Sequence, residues 1–467
     1  MAVVTRFPPS PTGMMHIGTA RTALFNWLYA KANGGKMLFR IEDTDRKRHS
    51  EEAVEALIRS MEWLELDWNG EIVSQFANQA RHVEVANELL AAGKAYKCFC
   101  TPEELDEMRT KAKAEGLPTF YDRRWRDNGD HPEGQDYVIR IKAPLEGSVS
   151  VSDKVQGDVN VEAAQLDDFI ILRSDGTPTY MLAVVVDDHD MGVTHVLRGD
   201  DHLNNTFRQN VIYDAMGWDK PEYAHVPLIL GPDGAKMSKR HGAASVEEYR
   251  DMGYLPEAMR NYLLRLGWGH GDDEIISTEQ AIEWFGFEGL GKAAAKFDFA
   301  KLESLNAHYI NEADSQRLID ICMPFYEQRH RITPDEQAQK RIIEGSEELK
   351  LRAKTLLQFT DESVFYAKAV PFDYDEKAAG LLDQNGKDIL AALKSAFESL
   401  EEFTAEAIQN TCKAVADDKM DGKLGKVAMP LRAALTGTTV SPSVFHAAEI
   451  LGRDEVYARI QAALDHA

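Results

Sequence analysis

Residues 2–30 read AVVTRFPPSPTGMMHIGTARTALFNWLYA and set the class of fold. The apolar run at 2–7 predicts a strand that ends at the prolines, a glycine-containing loop follows, and residues 20–30 have helical spacing. A second strand is predicted at 36–41, and an acidic turn leads from it into a second helix. This alternation predicts an α/β fold with a parallel sheet and helical crossovers.

The pattern of strands and helices changes twice along the chain. Its 467 residues exceed the roughly 250–300 that one hydrophobic core serves, so more than one domain is expected. After residue 96, turn clusters and strand-like pieces predict an inserted α+β domain. Alternation then resumes with strands at 193–197 and 225–230 around a helix at 202–216, and helical spacing dominates from residue 311.

These changes predict a Rossmann-like parallel-sheet domain that is split by the insert and followed by an all-α half. The nucleotide-binding fold is therefore expected to be discontinuous in sequence. The predicted bounds are 1–96 and 191–240 for the split domain, 97–190 for the insert, 241–310 for a connecting α-rich domain and 311–467 for the helical half.

Composition indicates a globular chain of the cytoplasm. Hydrophobic residues make up 44%, the opening residues lack a basic patch followed by an apolar stretch, and no apolar run is long enough to span a bilayer. Four cysteines are too few for a disulfide framework. The net charge of −24 argues against a polyanionic partner unless one face is basic, because lysine and arginine dominate phosphate binding. We predict a cytoplasmic enzyme without membrane contact.

The loop between the first predicted strand and helix reads SPTGMMHIGT, residues 10–19. A helix amino terminus offers unpaired N–H groups and a positive dipole end, which suit a triphosphate, and a glycine permits close approach of a base. His16 is suited to donate to phosphate oxygens. The same letters are also typical of ordinary helix capping, so this motif alone does not define a function.

A cationic pentapeptide, KMSKR at residues 236–240, follows the last predicted strand and a glycine-containing turn. Two lysines and an arginine on a loop of this kind can close over a triphosphate and neutralise charge that builds on leaving pyrophosphate. The alternative interpretation is a solvated basic turn.

Together the two motifs resemble the His-Ile-Gly-His and Lys-Met-Ser-Lys-Ser signatures of class I aminoacyl-tRNA synthetases. The chain has Thr19 in place of the second histidine and Arg240 in place of the final serine. The positions that match are His16, Gly18, Lys236 and Lys239. Because both motifs also stand where a strand and a helix are predicted, their match to the two signatures is not expected to arise by chance.

The resemblance extends over nearly the whole chain and is to the glutamyl-tRNA synthetases. The late run at 423–437 looks like that family's carboxy-terminal domain. Four earlier blocks also look like it: RFPPSPTG at 6–13, RIEDTD at 40–45, VVDDH at 185–189 and RGDDH at 198–202. Glutaminyl enzymes have a different pattern around the first signature.

The resemblance implies roles for the matching residues. The catalytic residues it implies are His16, Gly18, Lys236 and Lys239. The ATP contacts it implies are Thr12, His16, Gly18, Thr19, Asp201, Lys236, Ser238 and Lys239. The glutamate contacts it implies are Arg6, Ser10, Glu42, Tyr180 and Arg198.

Charge supports the same glutamate pocket. Arg6 and Arg198 stand at the ends of separate predicted strands, and a planar guanidinium that pairs with a carboxylate would favour a free γ-carboxylate over the neutral amide of glutamine. Glu42 is suited to the substrate ammonium. Any one of these residues could instead serve a surface ion pair, and Asp201 could cap a helix rather than contact ribose.

A structural metal is not expected. Cys98 and Cys100 resemble the start of a zinc ligand set, but Trp125 and Asp127 occupy the places where some members of the family have a further ligand pair. Two thiolates are a poor match to the four ligands of a closed zinc site. Magnesium is expected to arrive with ATP, whose phosphates supply most of its ligands.

The resemblance implies a two-step reaction. Glutamate attacks the α-phosphorus of ATP to give glutamyl-adenylate and pyrophosphate, and a terminal ribose hydroxyl of tRNA(Glu) then takes the glutamyl group. The insert is expected to hold the acceptor end, the helical half to read the anticodon, and the chain to act as a monomer. Bound tRNA is expected to be required for productive activation.

Other functions remain open at this point. A non-discriminating enzyme would also glutamylate tRNA(Gln), and a shorter relative that modifies a tRNA base would lack the residues beyond 311. A catalytically silent tRNA-binding paralogue is disfavoured by intact His16, Lys236 and Lys239.

Overall fold

A computed structural model describes residues 2–129, 132–237 and 245–466 of the chain. The chain divides into two compact units. The first comprises Met1–Arg250 with Met259–Phe299, and the second comprises Asp251–Ala258 with Ala300–Ala467. Within the described ranges, none of the helices combines the length and hydropathy that crossing a membrane requires.

The described strands all fall in the first unit. They are β1 Val4–Phe7, β2 Lys36–Ile41, β3 Val73–Ser74, β4 Ala95–Cys98, β5 Val138–Ile141, β6 Ser148–Asp153, β7 Gly157–Glu162, β8 Ile170–Leu172, β9 His195–Gly199, β10 Glu222–Val226, β11 Ile229–Leu230 and β12 Ala295–Lys296.

Helices are described in both halves of the sequence. Those before residue 290 are α1 Ile17–Ala32, α2 Glu51–Trp63, α3 Gln79–Ala91, α4 Pro102–Ala114, α5 Tyr180–Asp190, α6 Leu203–Met216, α7 Val246–Asp251, α8 Pro256–Arg265 and α9 Thr278–Trp284. The later ones are α10 Phe299–Glu312, α11 Ser315–Phe325, α12 Glu336–Glu344, α13 Ser346–Lys350, α14 Leu356–Ser363, α15 Glu376–Gly380, α16 Gln384–Glu398, α17 Ala405–Lys419, α18 Leu424–Thr436, α19 Val444–Leu451 and α20 Arg453–Asp465.

Parallel strands form the centre of the first unit. Strands β1, β2 and β3 pair in that order, and β9 pairs in parallel with β10, which pairs in parallel with β6. The N–H of Thr194, just before β9, donates to the carbonyl of Val4 at 2.9 Å, so the beginnings of β1 and β9 are adjacent. Their carboxyl ends meet at one edge, where α/β proteins bind ligands.

Helix α1 is fixed against this sheet by its buried face. The Oγ1 of Thr5 donates to the carbonyl of Asn26 at 2.9 Å, and the Asn26 amide donates to the carbonyl of Leu197 at 3.0 Å. Ala20, Ala23 and other small or apolar side chains of the helix are buried. Close packing of small residues holds the start of the helix at the ligand-binding edge.

A separate antiparallel sheet is formed by β4, β5 and β8. Its buried acidic centre is Asp168, which accepts from Arg126 at 2.7 Å and from the Tyr96 hydroxyl at 2.8 Å. Strands β6 and β7 form a hairpin that joins the parallel sheet, since Asp153 is in register with Tyr223 of β10.

The predicted fold class is confirmed: a mixed α/β part with a parallel sheet precedes an all-helical part. The strand predicted at 225–230 is wrong in extent, because the structure has β10 and β11 around Pro227, whose ring cannot donate a ladder hydrogen bond. The predicted domain bounds stay predictions.

The second unit is a helical assembly with one apolar core. Its buried side chains include Leu318, Phe359, Leu393, Leu431 and Ile460. The predicted stripe of Ile389, Leu390, Leu393 and Phe397 on α16 is buried in that core. Amphipathic helices of this kind gain their stability from burying one face.

Candidate active site

His16 forms the start of helix α1. Its Nδ1 accepts a hydrogen bond from the N–H of Thr19 at 3.4 Å, which caps the helix, and the Thr19 Oγ1 lies 3.1 Å from Nε2 of the same ring. A Cβ at Gly18 would lie 3.2 Å from two atoms of the imidazole, so glycine lets the ring fold over the helix start. The unpaired N–H groups of the first turn therefore open beside a histidine.

Lys236 lies close to His16. It follows β11 and forms an isolated antiparallel bridge with Leu230, and its Nζ is 3.5 Å from Oδ2 of Asp201. Loss of hydration and the positive charge of Lys236 lower the pKa of His16, whereas Asp201 acts in the opposite direction. His16 is therefore a neutral imidazole at pH 7, beside a cation.

The chain that follows the lysine segment returns to the first loop. The N–H of Val246 donates to the carbonyl of Met15 at 2.8 Å. The remaining residues of the cationic motif, Ser238, Lys239 and Arg240, lie outside the described residues. The described chain on both sides of this motif thus adjoins the start of α1.

A cavity of about 160 Å³ opens beside the same loop. Its lining is Ser10, Pro11, Thr12, Glu42, Thr44, Asp45, Arg48, His49 and Tyr180. The N–H of Glu42 donates to the carbonyl of Pro9 at 2.9 Å, which ties the acidic turn after β2 to the loop after β1. The cavity is below the ~300–1,000 Å³ typical of drug-sized ligands and suits a small polar molecule.

Two arginines and an aspartate form a buried charge cluster next to this cavity. Asp188 of α5 accepts from Arg40 Nη1 at 2.7 Å and from Arg6 Nε at 3.3 Å. Burial opposes ionisation of Asp188, but Arg40 and Arg6 outweigh it and hold the pKa of that carboxyl below its usual range. The Nη1 of Arg6 is buried and has no hydrogen-bond partner among the described residues. One buried guanidinium nitrogen is therefore available to a ligand.

Glu42 and Tyr180 bring opposite properties to the cavity. Burial raises the pKa of Glu42 to about 7, although Arg40 at 3.7 Å and Arg6 pull the pKa down. Burial and the nearby Glu42 raise the pKa of Tyr180 to about 12, so its hydroxyl keeps its proton. The pocket can thus offer one titrating carboxylate and one neutral donor.

Arg198, at the end of β9, is held by several buried acceptors. Its Nε donates to His225 Nε2 at 3.0 Å, and its Nη2 donates to Thr206 Oγ1 at 2.6 Å and to Gln209 Oε1 at 2.8 Å. Its Nη1 makes no hydrogen bond to the described residues. Arg198 and Arg6 are close enough for the positive charge of Arg6 to contribute to lowering the pKa of Arg198, after burial itself.

The structure places the sequence-predicted residues in two adjoining groups. Around the start of α1 lie His16, Gly18, Thr19, Asp201 and Lys236. At the cavity or behind it lie Arg6, Ser10, Thr12, Glu42, Tyr180 and Arg198. Ser238 and Lys239 fall outside the described residues, so their positions stay predictions.

Sequence reasoning gave no role to Arg40, Asp188 or His225, which support these groups, although Arg40 and Asp188 stand in two of the blocks that resemble the family. Arg40 and His225 stand in otherwise mostly apolar strands, whereas Asp188 belongs to the acidic end of α5, and all three side chains are almost wholly buried. Buried ionisable groups need partners, and that mismatch with the apolar pattern is the signal that could identify such residues.

The cysteine motif lies in a small apolar cluster. Cys98 packs with Tyr96 and Tyr121, and the Tyr121 hydroxyl accepts from the N–H of Trp125 at 3.0 Å. Burial raises the pKa of Cys100 to about 11, so the thiol stays protonated at neutral pH. In the part of the chain that the structure describes, no three His, Cys, Asp or Glu residues are grouped to hold a metal ion. The absence of zinc stays a prediction.

Comparisons with known proteins cover the whole chain. The family described as tRNA synthetases class I (E and Q), catalytic domain, matches residues 2–304, and the family described as anticodon binding domain matches residues 317–464. Glutamate--tRNA ligase 2 of Rhodospirillum centenum is 56% identical over 99% of both chains. The same-named protein of Paramagnetospirillum magneticum is 54% identical over 99% of this chain and 98% of its own.

Solved structures give the same picture. A glutamate tRNA ligase from Elizabethkingia meningosepticum, crystallised with its amino acid, aligns with a TM-score of 0.86 and 32% identity over 100% of this chain and 99% of its own. The glutamate-tRNA synthetase of Elizabethkingia anophelis aligns with a TM-score of 0.81 and 32% identity over 100% of both chains.

Proposed function

The chain belongs to the class I tRNA synthetases of the E and Q group, and we infer its function from that membership together with the geometry of the site. It ligates L-glutamate to tRNA(Glu) with ATP. The observation that carries this proposal is the meeting of His16, Lys236 and Asp201 beside a small cavity that contains Glu42. Such a reaction requires a helix start that can bind phosphates. It also requires a pocket of amino-acid size that carries both acidic and basic side chains.

In the first step, an oxygen of the glutamate α-carboxylate attacks the α-phosphorus of ATP, and the bond to the β-phosphate breaks. Pyrophosphate leaves and glutamyl-adenylate remains. Negative charge that builds on the phosphates is met by the start of α1 and by Lys236, which are already in place. Catalysis therefore comes from positioning and charge, without a covalent enzyme intermediate.

The nucleotide contacts come from the first group of residues. His16, Gly18 and Thr19 shape the helix start, while Asp201 faces Lys236 at 3.5 Å and stands where a ribose could be bound. Thr12 lines the adjoining cavity. Ser238 and Lys239 complete the set on the strength of the motif that they belong to.

Glutamate is recognised by charge. The substrate carboxylates are bound by Arg6 and Arg198, each of which has a free guanidinium nitrogen, and the substrate ammonium is bound by Glu42. Ser10 and Tyr180 supply hydroxyl groups at the cavity wall. Two guanidinium groups favour a dicarboxylic amino acid over glutamine, because a neutral amide would leave a buried cation unpaired.

In the second step, a terminal ribose hydroxyl of tRNA attacks the glutamyl carbonyl, and AMP leaves. Residues 97–190 hold the acceptor end and residues 311–467 read the anticodon, in keeping with the anticodon-binding family at 317–464. The enzyme acts as a cytoplasmic monomer. Mg²⁺ arrives with ATP, since phosphate oxygens supply most of its ligands.

Charging assays test the proposal directly. The purified chain is incubated with ATP, Mg²⁺ and labelled glutamate or glutamine, together with tRNA(Glu) or tRNA(Gln). Glutamate is expected on tRNA(Glu) only in the presence of ATP. Glutamylation of tRNA(Gln) as well would indicate the non-discriminating alternative. Failure to charge any tRNA with glutamate would refute the proposal and favour a silent tRNA-binding paralogue.

A further inference from the structure

A chain of buried polar side chains leads from the β6–β7 hairpin to the amino-acid pocket. It runs from Asp153 at the end of β6, through His225 of β10, to Arg198 of β9, and all three residues are buried. His225 and Arg198 are direct partners in the parallel register of β9 and β10. Side chains that share a register position project to the same face of a sheet.

The hydrogen bonds among these three side chains are compatible with only one tautomer of His225. Its Nδ1 lies 2.6 Å from Oδ2 of Asp153, and an ionised carboxylate can only accept, so Nδ1 carries the proton. Its Nε2 lies 3.0 Å from Nε of Arg198, which can only donate, so Nε2 is an acceptor. Both contacts therefore require the same neutral imidazole.

A second nitrogen of the Arg198 guanidinium, Nη2, is also held by buried acceptors. The Thr206 Oγ1 accepts from Arg198 Nη2 at 2.6 Å and lies 3.1 Å from His225 Nε2. The Gln209 Oε1 accepts from the same Nη2 at 2.8 Å. Two of the three guanidinium nitrogens are thus held, and the plane of the group is set, while Nη1 makes no hydrogen bond to the described residues.

We propose that Asp153 and His225 are positioning residues that hold the Arg198 guanidinium in the orientation that receives a carboxylate of glutamate. Neither touches the substrate. Asp153 fixes the tautomer of His225, and the Nε2 of His225 then accepts from Nε of Arg198. The Nη1 of Arg198 remains available for the ligand. This inference rests on the proposed function, because it assigns a support to one of its glutamate-binding residues.

Asp153→Asn is the sharpest test, because an amide cannot replace the carboxylate. If the amide nitrogen faces His225, Nε2 must carry the proton and oppose the Arg198 donor. If the amide oxygen faces His225, the amide nitrogen opposes the N–H groups of Val155 and Gln156, which now donate to Oδ1 at 2.9 and 2.8 Å. Either arrangement sets two buried donors against each other.

The expected result is a selective loss of glutamate binding. In tRNA-dependent ATP–pyrophosphate exchange, the KM for glutamate of Asp153→Asn rises about tenfold or more, and the KM for ATP stays within about twofold. A general loss of stability would not separate the two substrates in this way.

Tyr223→Phe is the matched control. Tyr223 lies two residues before His225 on β10, its hydroxyl donates to Asn210 Oδ1 at 2.8 Å, and it makes no hydrogen bond to Arg198. This variant also loses one buried hydrogen bond of the strand, but its KM for glutamate is expected to stay within about twofold of the wild type. An equal rise in both variants, or equal rises for ATP and glutamate, would overturn the inference.

Thr206→Val covers the case in which Asp153→Asn yields no folded protein. It removes one acceptor of Arg198 at nearly constant volume, and the KM for glutamate is again expected to rise more than that for ATP. An unchanged KM for glutamate would overturn the inference. Failure of the proposed function has a different signature, since the wild-type protein itself would then not charge tRNA with glutamate.

Discussion

Glu42 is the residue whose charge state matters most to the amino-acid pocket. Burial raises its pKa to about 7, against Arg40 and Arg6. Below that pH the side chain is protonated and neutral, and it cannot pair with the substrate ammonium. If Glu42 binds the substrate ammonium as proposed, glutamate binding requires the ionised form, and we expect it to become weaker as the pH falls.

A pH profile checks this at the residue scale. We expect kcat/KM for glutamate to fall between about pH 8 and about pH 6, approaching tenfold per unit below the pKa of Glu42. Glu42→Gln should lower kcat/KM for glutamate over the whole pH range and remove the inflection near neutrality. The neighbouring histidines are unchanged in this variant, so any inflection caused by them would remain. The same inflection in the glutamine variant would assign it to another group.

Single residues also show what the sequence could and could not reveal. Roles for Ser10, Glu42 and Tyr180 were predicted from the resemblance to the family, and the structure places all three around one cavity. Asp188 stood in one of the quoted blocks, but its ion pairs with Arg6 and Arg40 were not predicted, because those arginines are more than a hundred residues away in sequence. No local pattern encodes such a long-range ion pair.

Another prediction concerns Gly199, the last residue of β9. A Cβ at Gly199 would lie 2.5 Å from Oδ1 of Asp201, so Gly199→Ala should turn that carboxylate away from Lys236. Exposed ion pairs contribute only about 0–1 kcal/mol, so the melting temperature should change little while the KM for ATP rises several-fold.

Gly129→Ala is the control for that variant, because a Cβ there meets nothing within 4 Å. Steady-state kinetics and a melting curve of both variants provide the comparison. A large loss of stability with Gly199→Ala and an unchanged KM for ATP would contradict the role given to Asp201.

Elements were easier to predict where the signal was local. The strand expected at 36–41 is β2 itself, and the helix expected at 202–216 is α6 within one residue. Pro227 divides the strand expected at 225–230, and the pairing of β6 with β10 joins segments separated by about 70 residues. Register across such a distance is set by packing rather than by spacing.

Arg459 is expected to contribute strongly to the stability of the helical unit. It is fully buried, and its guanidinium donates to the carbonyls of Phe365, Lys368 and Leu435 at 2.8, 2.8 and 2.6 Å, with Glu455 at 2.7 Å. It therefore joins α20 to the end of α18 and to the chain after α14.

Arg459→Met should destabilise this unit by about 3–5 kcal/mol, because several buried carbonyls lose their donors. Urea unfolding followed by circular dichroism measures the change. Lys413→Met, at an exposed position of α17, is the control and should be close to neutral. Equal stability of the two variants would contradict the role of Arg459.

For the whole molecule, the spacing of apolar residues was sufficient to predict that an α/β part precedes a helical part. The net charge of −24 was a poor guide to the partner, because family membership places the chain among tRNA synthetases despite its acidity. Charge summed over a chain does not report the charge of one face.

In the proposed complex, the phosphates of ATP lie between the start of α1 and Lys236. The most direct test of this placement is glutamate-dependent ATP–pyrophosphate exchange with tRNA(Glu) present, comparing Lys236→Ala with Lys220→Ala, whose lysine pairs with Asp214 at 2.6 Å on the surface. We predict that Lys236→Ala lowers kcat by about 10²-fold or more and that Lys220→Ala leaves it unchanged. Exchange by Lys236→Ala at the wild-type rate would contradict the claim.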